Sequence, residues 1–303
     1  MPELPEVETI RRHLVPHVEG RVLEAVNVLD PRWCRPLAPD ELRHAIEGRR
    51  VERLSRRGKY LVWELSDDVY LLMHLRMTGT ILLDPDPAPR HARVRIGLGE
   101  DHPSELAPLS RSSSSPPASP ARTLVFDDPR RFGTGELALG PDALDAFFDA
   151  RLGVEPLARE FTAEHLYALA RTSRAPVKAF LLDQKRVAGV GNIYADEALF
   201  RARVHPLRPA NRLTRAQCAA LRDAVVESLM AGLEAKGATI DDFRDPYGVS
   251  GTFQDQFLVH LREHEPCPNC GRPVRKLRAA GRGTYVCERC QPRPRAPRRR
   301  AAA

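Results

Sequence analysis

Four of the six cysteines stand in one cluster, Cys267-x2-Cys270-x16-Cys287-x2-Cys290, the most specific spacing in the chain. Two Cys-x-x-Cys knuckles supply four thiolates, which suit a closed tetrahedral zinc site. With no open ligand position, one zinc ion held there is structural; an iron–sulfur site or a redox pair is the alternative. The residues between the knuckles suffice for a β-hairpin, and the alternating stretch Arg282–Val286 fits its second strand. Arg275, Lys276, Arg278 and Arg282 on that hairpin offer cationic groups suited to phosphates, although Arg282 read alone is equally a solvated surface charge. Cys34 and Cys218 stand apart and read as buried small side chains, and a disulfide framework is not expected.

At the other end of the chain, Pro2 is a small penultimate residue, so methionine aminopeptidase would expose its secondary α-amine. Such groups titrate at about 8, well below lysine at about 10.4, and are partly unprotonated near neutrality. An amine of this kind can attack a sugar C1′ and form an iminium, the covalent strategy of Schiff-base enzymes. By itself the residue says little, because most penultimate prolines are chemically silent.

The elements that must position these groups change character along the 303 residues. Val7, Ile10, Leu14 and Val18 recur at helical spacing, with Gly20 as a stop. Val22–Leu29, Tyr60–Leu65, Val69–Leu75, Arg93–Leu98 and Thr123–Phe126 are short β-type runs, with a hairpin turn at Ser66-Asp67-Asp68. One helix followed by many short strands implies a sandwich or a barrel. Asp101–Arg122, with Ser112–Ser115 and Pro116, Pro117 and Pro120, cannot bury a core and reads as a disordered surface loop. From Pro141 the pattern is helical, over 144–152, 163–171, 177–182, 193–201 and 214–236.

Composition sets outer limits. The charged fraction of 29% and apolar fraction of 42% are those of a globular protein. No apolar run approaches the roughly 20 residues that span a bilayer. The start of the chain has neither the basic residues nor the apolar stretch of a secretory signal, so a cytoplasmic protein is expected. The net charge of +7 is concentrated at the end: twelve Lys/Arg and three Asp/Glu lie between Arg262 and Arg300. A polyanionic partner fits this distribution, as does a merely solubilising tail.

The segments MPELPEVETIRRHL, RRGKYLVWEL, MHLRMTG, DDPRRFG and GVGNIYADEALFRARVHP, followed by the four-cysteine finger, occur in this order. Together they resemble the bacterial formamidopyrimidine-DNA glycosylase family from residue 1 to about 291. The related endonuclease VIII group shares the amino-terminal Pro-Glu and often the finger, but differs in the interior blocks. The resemblance implies an α+β multidomain chain: a β-sandwich with flanking helices over 1–140, interrupted by a disordered insertion at 101–122. A helix–two-turns–helix domain would follow over 141–240, then a zinc-finger β-hairpin module over 241–291 and a disordered basic tail over 292–303. It implies a monomer that clamps damaged double-stranded DNA between its two lobes, with one structural zinc and no nucleotide cofactor, associated with the bacterial nucleoid.

The expected activity is excision of oxidised purines, 8-oxoguanine and formamidopyrimidines, followed by β,δ-elimination of the strand. Pro2 would be the nucleophile and Glu3 the proton donor and acceptor at the deoxyribose; read alone, Glu3 is a helix N-terminal carboxylate. Lys59 would hold the adjoining phosphate or assist elimination; read alone it is a strand-edge lysine. Glu6 matches a second acidic position of the same helix. Arg282, grouped with the catalytic residues, would grip phosphate together with Lys59, His74 and Asn192, and Asn192 opens a helix whose dipole favours an anion. Plain capping by the glycines before Asn192 and a structural role for His74 are the local alternatives. Met77, Arg130 and Phe132 match the family's void-filling triad, which occupies the gap left by a flipped base; without the resemblance, Met77 and Phe132 would be assigned to the core. The chain departs from the pattern at the Ser/Pro insertion, at the arginine tail, at Asp241, and at His260-Leu261, where the family usually has Tyr-Gly. The alternatives are an oxidised-pyrimidine glycosylase of the same superfamily and a non-catalytic zinc-finger DNA-binding protein.

Overall fold

A computed structural model describes residues 1–99, 122–240 and 243–294. Its contacts divide the chain into two compact units: Met1–Arg151 with Gly232–Gln254, and Leu152–Ala231 with the chain from Asp255 onward.

In the first unit, helix α1 (Leu4–Val18) carries Pro5 in its first turn, where a missing N–H costs nothing. Its stripe Val7, Ile10, Leu14 and Val18 is wholly buried, and Gly20 beyond its end takes φ +84°. The strands that follow are β1 (Leu23–Val28), β2 (Val51–Arg57), β3 (Tyr60–Leu65), β4 (Val69–His74), β5 (Thr80–Leu83), β6 (Ala92–Leu98), β7 (Arg122–Asp127) and β8 (Thr134–Leu139). They form two antiparallel four-stranded sheets, ordered β1-β6-β7-β5 and β2-β3-β4-β8. Leu54, Trp63, Leu71 and Met73 from one sheet share a core with Val26, Val94, Ile96 and Phe126 from the other, and α1 contributes its stripe. The unit is a β-sandwich. Asp67 and Asp68, at φ 59° and 54°, supply the left-handed backbone of the three-residue turn, 66–68, that joins β3 to β4.

Helix α2 (Pro39–Ile46) and strands β2, β5 and β8 are additional to the sequence expectation. Strand β2 buries only Val51 and Leu54 and has a register shift between Val51 and Arg53, so its alternation is broken. The expected loop at 101–122 lies outside the described residues, except that Arg122 opens β7 and pairs with Asp84. Helix α3 (Pro141–Asp149) belongs to this first unit: Phe147 and Phe148 pack their rings edge-on against Tyr60. Residues 232–254 also group here, and Phe243 enters the sandwich core. The linear boundaries at 140 and 240 therefore differ from the division made by the contacts.

The second unit holds α4 (Ala163–Arg171), α5 (Val177–Leu182), α6 (Asn192–Arg201) and most of α7 (Arg215–Glu234), with the hairpin β9 (Arg275–Ala279) and β10 (Arg282–Val286). Cys267, Cys287, Val274 and Tyr285 of the finger bury a small cluster with Phe200 and Val259. Among the described residues, no helix is long and apolar enough to cross a membrane.

Candidate active site

Pro2 and Glu3 are buried at the start of α1. The Glu3 N–H donates to Glu6 Oε2 at 2.8 Å, and Glu6 Oε1 accepts from the Ala238 N–H at 2.8 Å. One buried carboxylate thus fixes the turn that presents Pro2 and joins it to the segment after α7. That segment is itself braced: the Thr239 N–H donates to Gln254 Oε1, the Gly251 N–H to Thr239 Oγ1, and the Phe253 N–H to the Gly237 carbonyl. Gly237 sits at φ +85°, and a Cβ there would meet the Glu6 side chain. Glu6, whose role the sequence left open, connects the two segments.

Lys59 lies in the two-residue turn between β2 and β3 and is only 5% exposed. Its neighbour Tyr60 pairs across the sheet with His74 and meets it edge-on at 4.6 Å. Burial, reinforced by the charges of Arg76 and Lys59, pushes the His74 pKa down to about 3. The ring is therefore neutral at pH 7. Its Nδ1 accepts from the Arg76 N–H at 2.9 Å, which leaves the proton on Nε2 as a hydrogen-bond donor. A neutral donor beside an ammonium is a combination suited to a phosphate.

Met77, Arg130 and Phe132 come from two loops that the structure brings together. Met77 is half-buried, whereas Arg130 is exposed and Phe132 is 53% exposed, so the core reading of Phe132 does not hold. The Arg130 guanidinium lies over the Phe132 ring, 5.3 Å from its centroid. Asp128, wholly buried, joins the loops. It accepts from the Thr78 hydroxyl, from the Arg130 N–H at 3.3 Å and from the Gly133 N–H at 2.7 Å. The Arg130 N–H is shared with Thr78 Oγ1 at 3.2 Å. Behind Asp128 stands buried Arg93, 3.6 Å away, which also pairs with Asp30 at 3.0 Å. The Arg32 guanidinium, with Arg93, holds the Asp30 carboxyl well below the usual carboxylate range. Thr78 and Asp128 lie inside the segments MHLRMTG and DDPRRFG, yet nothing in the spacing of those residues announces their pairing.

In the second unit, Asn192 opens α6 and its Nδ2 donates to the Gly283 carbonyl at 3.3 Å, next to exposed Arg282. Lys178, wholly buried, donates to the same carbonyl at 3.2 Å, to Thr284 Oγ1 at 2.8 Å and to Asp196 Oδ1 at 2.7 Å. The other oxygen of Asp196 meets His260 Nδ1 at 2.9 Å. Glu197, also buried, accepts from the N–H groups of Leu258, Val259 and His260. The sequence did not single out Lys178, Asp196 or Glu197, although both acids lie in a quoted motif. At the departure from Tyr-Gly, His260 is absorbed into this network. Leu261 takes φ +60°, a left-handed backbone that costs an L-residue about 1–2 kcal/mol. Asp241 lies outside the described residues.

Breaking a buried ion pair by removing one partner leaves an uncompensated charge and costs about 3–5 kcal/mol. Lys178→Met is therefore expected to lower the stability of the second unit by that amount, read as a shift in the chemical denaturation midpoint. An unchanged midpoint would show that the pair contributes nothing.

The four cysteine sulfurs all lie within 4.8 Å of one another. Cys267–Cys290 and Cys270–Cys287 are separated by 3.8 and 3.5 Å. A tetrahedron with Zn–S bonds of about 2.3 Å has edges of about 3.8 Å, so the cluster fits one structural zinc ion. Gln291, wholly buried, accepts from the Cys287 N–H and donates to the Val204 carbonyl, which ties the second knuckle to the helices.

Three family models match the chain in order. They are the formamidopyrimidine-DNA glycosylase N-terminal domain over residues 1–135, the formamidopyrimidine-DNA glycosylase H2TH domain over 152–244, and a zinc finger found in FPG and IleRS over 265–293. The formamidopyrimidine-DNA glycosylase of Thermus thermophilus is 43% identical over 96% of this chain and 98% of its own length. The crystal structure of the MutM (Fpg) protein from that organism aligns with TM-score 0.80 at 42% identity, covering 96% of this chain and 98% of that one. A complex of Lactococcus lactis Fpg with DNA containing an abasic site aligns with TM-score 0.82 at 32% identity, covering 96% and 100%.

Proposed function

The chain belongs to the formamidopyrimidine-DNA glycosylase family, and on that premise we propose that it is a base-excision-repair glycosylase and lyase acting on oxidised purines in duplex DNA. The Pro2 amine, freed of Met1, attacks C1′ of the damaged nucleotide. The glycosidic bond breaks, its electron pair leaves with the base, and the base takes up a proton. Glu3 protonates the ring oxygen as the sugar opens, and the amine loses its proton to give the iminium. Loss of a C2′ proton then expels the 3′ phosphate, and a second elimination expels the 5′ phosphate. Lys59 and the Nε2–H of His74 hold the adjoining phosphate, while Asn192 and Arg282 grip phosphate from the second unit. Met77, Arg130 and Phe132 occupy the space vacated by the flipped nucleotide. The enzyme acts in the cytoplasm, at the nucleoid, with the zinc ion serving structure alone.

The observation that carries this reading is the amino-terminal turn. Pro2 and Glu3 are adjacent and buried, and Glu6 holds their turn by accepting from the Glu3 N–H and from the Ala238 N–H of a distant segment. Borohydride trapping tests it. Native protein and an 8-oxoguanine duplex should give a covalent chain–DNA adduct, and undamaged duplex should give none. Excision without an adduct would rule out the Pro2 mechanism. Thymine glycol in a matched duplex tests lesion class, and is expected to be excised more slowly than 8-oxoguanine.

A further inference from the structure

We propose that Thr78 and Asp128 are positioning residues for base extrusion, a clamp that holds Met77, Arg130 and Phe132 as one preformed wedge before DNA arrives. The inference rests on the functional reading above, in which those three side chains enter the gap left by the lesion. Met77 precedes Thr78 directly, Arg130 lies in the turn that Asp128 anchors, and Phe132 follows it. Asp128 is wholly buried, and its Oδ1 joins the two loops by accepting from the Thr78 hydroxyl and the Arg130 N–H, while its Oδ2 takes the Gly133 N–H of its own loop. The Arg131 N–H closes on the Asp128 carbonyl at 3.1 Å, and Arg131 itself adopts φ +58°.

Three further features point to rigidity. A Cβ on Gly133 would collide with the Phe126 ring, so the backbone passes close against the core beneath the wedge. Arg93, 1% exposed, backs the carboxylate at 3.6 Å from its Oδ2. On the solvent side, Phe132 is 53% exposed with the Arg130 guanidinium over its ring. An exposed aromatic on a tightly tied loop is ready for insertion, and loses little conformational freedom when it goes in. The clamp therefore matters only where a stacked, paired base must be displaced.

Thr78→Val keeps the volume of the side chain but removes the hydroxyl donor, whereas Thr78→Ser restores it. Single-turnover excision is measured on 8-oxoguanine in a paired duplex and on the same lesion in an unpaired bulge, where little stacking has to be broken. Thr78→Val is expected to lose on the order of 10-fold on the paired duplex and less than about 3-fold on the bulge, a loss corresponding to one hydrogen bond left unmade. Thr78→Ser should stay within about 3-fold of wild type on both. Asp128→Asn, which keeps the shape but weakens the acceptor, should show the same split as Thr78→Val. Equal losses on the two substrates in variants with wild-type thermal melting would overturn the proposal, as would wild-type rates on the paired duplex. If wild-type protein excises from neither substrate, the functional reading fails and the clamp with it.

Discussion

Retaining a single residue ahead of Pro2 is expected to lower strand scission and borohydride adduct formation by on the order of 10⁴-fold or more. The nitrogen of Pro2 is then part of a peptide bond, and its lone pair is delocalised into the carbonyl. No rearrangement of the buried turn restores an amine. Two preparations check this, one released by a protease that leaves native Pro2 and one that leaves a glycine before it. Their DNA binding should be similar, because the phosphate-binding side chains are unchanged. Pro2→Ala, which keeps an α-amine after processing, should retain more activity than the extended chain. Equal scission by the extended and native chains would remove Pro2 from the mechanism and leave Lys59 as the amine to examine.

Chelation of the metal should have the second large effect. Strands β9 and β10 have five residues each, and an isolated two-stranded hairpin is marginal in water. Among the described residues, the apolar cluster that it joins is small: Val274, Tyr285, Cys267 and Cys287 with Phe200 and Val259, and Leu258 partly buried against them. Zinc contributes about 10–16 kcal/mol to such four-ligand modules, so without it the finger unfolds. Arg275, Lys276, Arg278 and Arg282 then lose the hairpin that carries them. Affinity for lesion duplex should fall by about 10²-fold or more, and each lost phosphate contact should flatten the log–log salt dependence by about 0.9. Fluorescence anisotropy across a salt series, with the metal assayed at one ion per chain beforehand, checks both numbers. An unchanged slope after chelation would mean that the finger makes no phosphate contacts.

How much of this was legible in the sequence depends on what kind of signal each residue leaves. The cysteines are readable because thiolate chemistry demands a spacing, and β10 falls on the alternating stretch expected for it. Helices α4 and α5 coincide with their predicted ranges because their apolar residues follow one period. Strand β2 escaped because arginines occupy positions 53, 56 and 57 and its register shifts. Strand β8 escaped because Gly135 replaces a packing residue, for a reason visible only in three dimensions: a Cβ there would strike the Trp33 ring. The same holds at the candidate site. Pro2, Glu3 and Lys59 are named by their chemistry and their motifs. The residues that hold others in place, Thr78 with Asp128 and Lys178 with Asp196, are separated by 50 and 18 positions and leave no local period. Without the family motif Phe132 would be assigned to the core, because an aromatic side chain defaults to the interior; its 53% exposure is a property of the loop.

The neighbouring carboxylates of α6 carry one more consequence. Asp196 and Glu197 are consecutive and both wholly buried, yet they reach different structures: the first holds Lys178 and His260, the second the N–H groups of residues 258–260. Adding one residue between Asn192 and Asp196 would swing both acids about 100° around the helix axis and advance them about 1.5 Å. Every side chain would survive, but the finger and the segment leading into it would come loose together. Over that stretch the chain can tolerate a change of letter more readily than a change of length, and lineages of this protein should keep the count from Asn192 to Glu197 fixed even where the loops on either side grow or shrink.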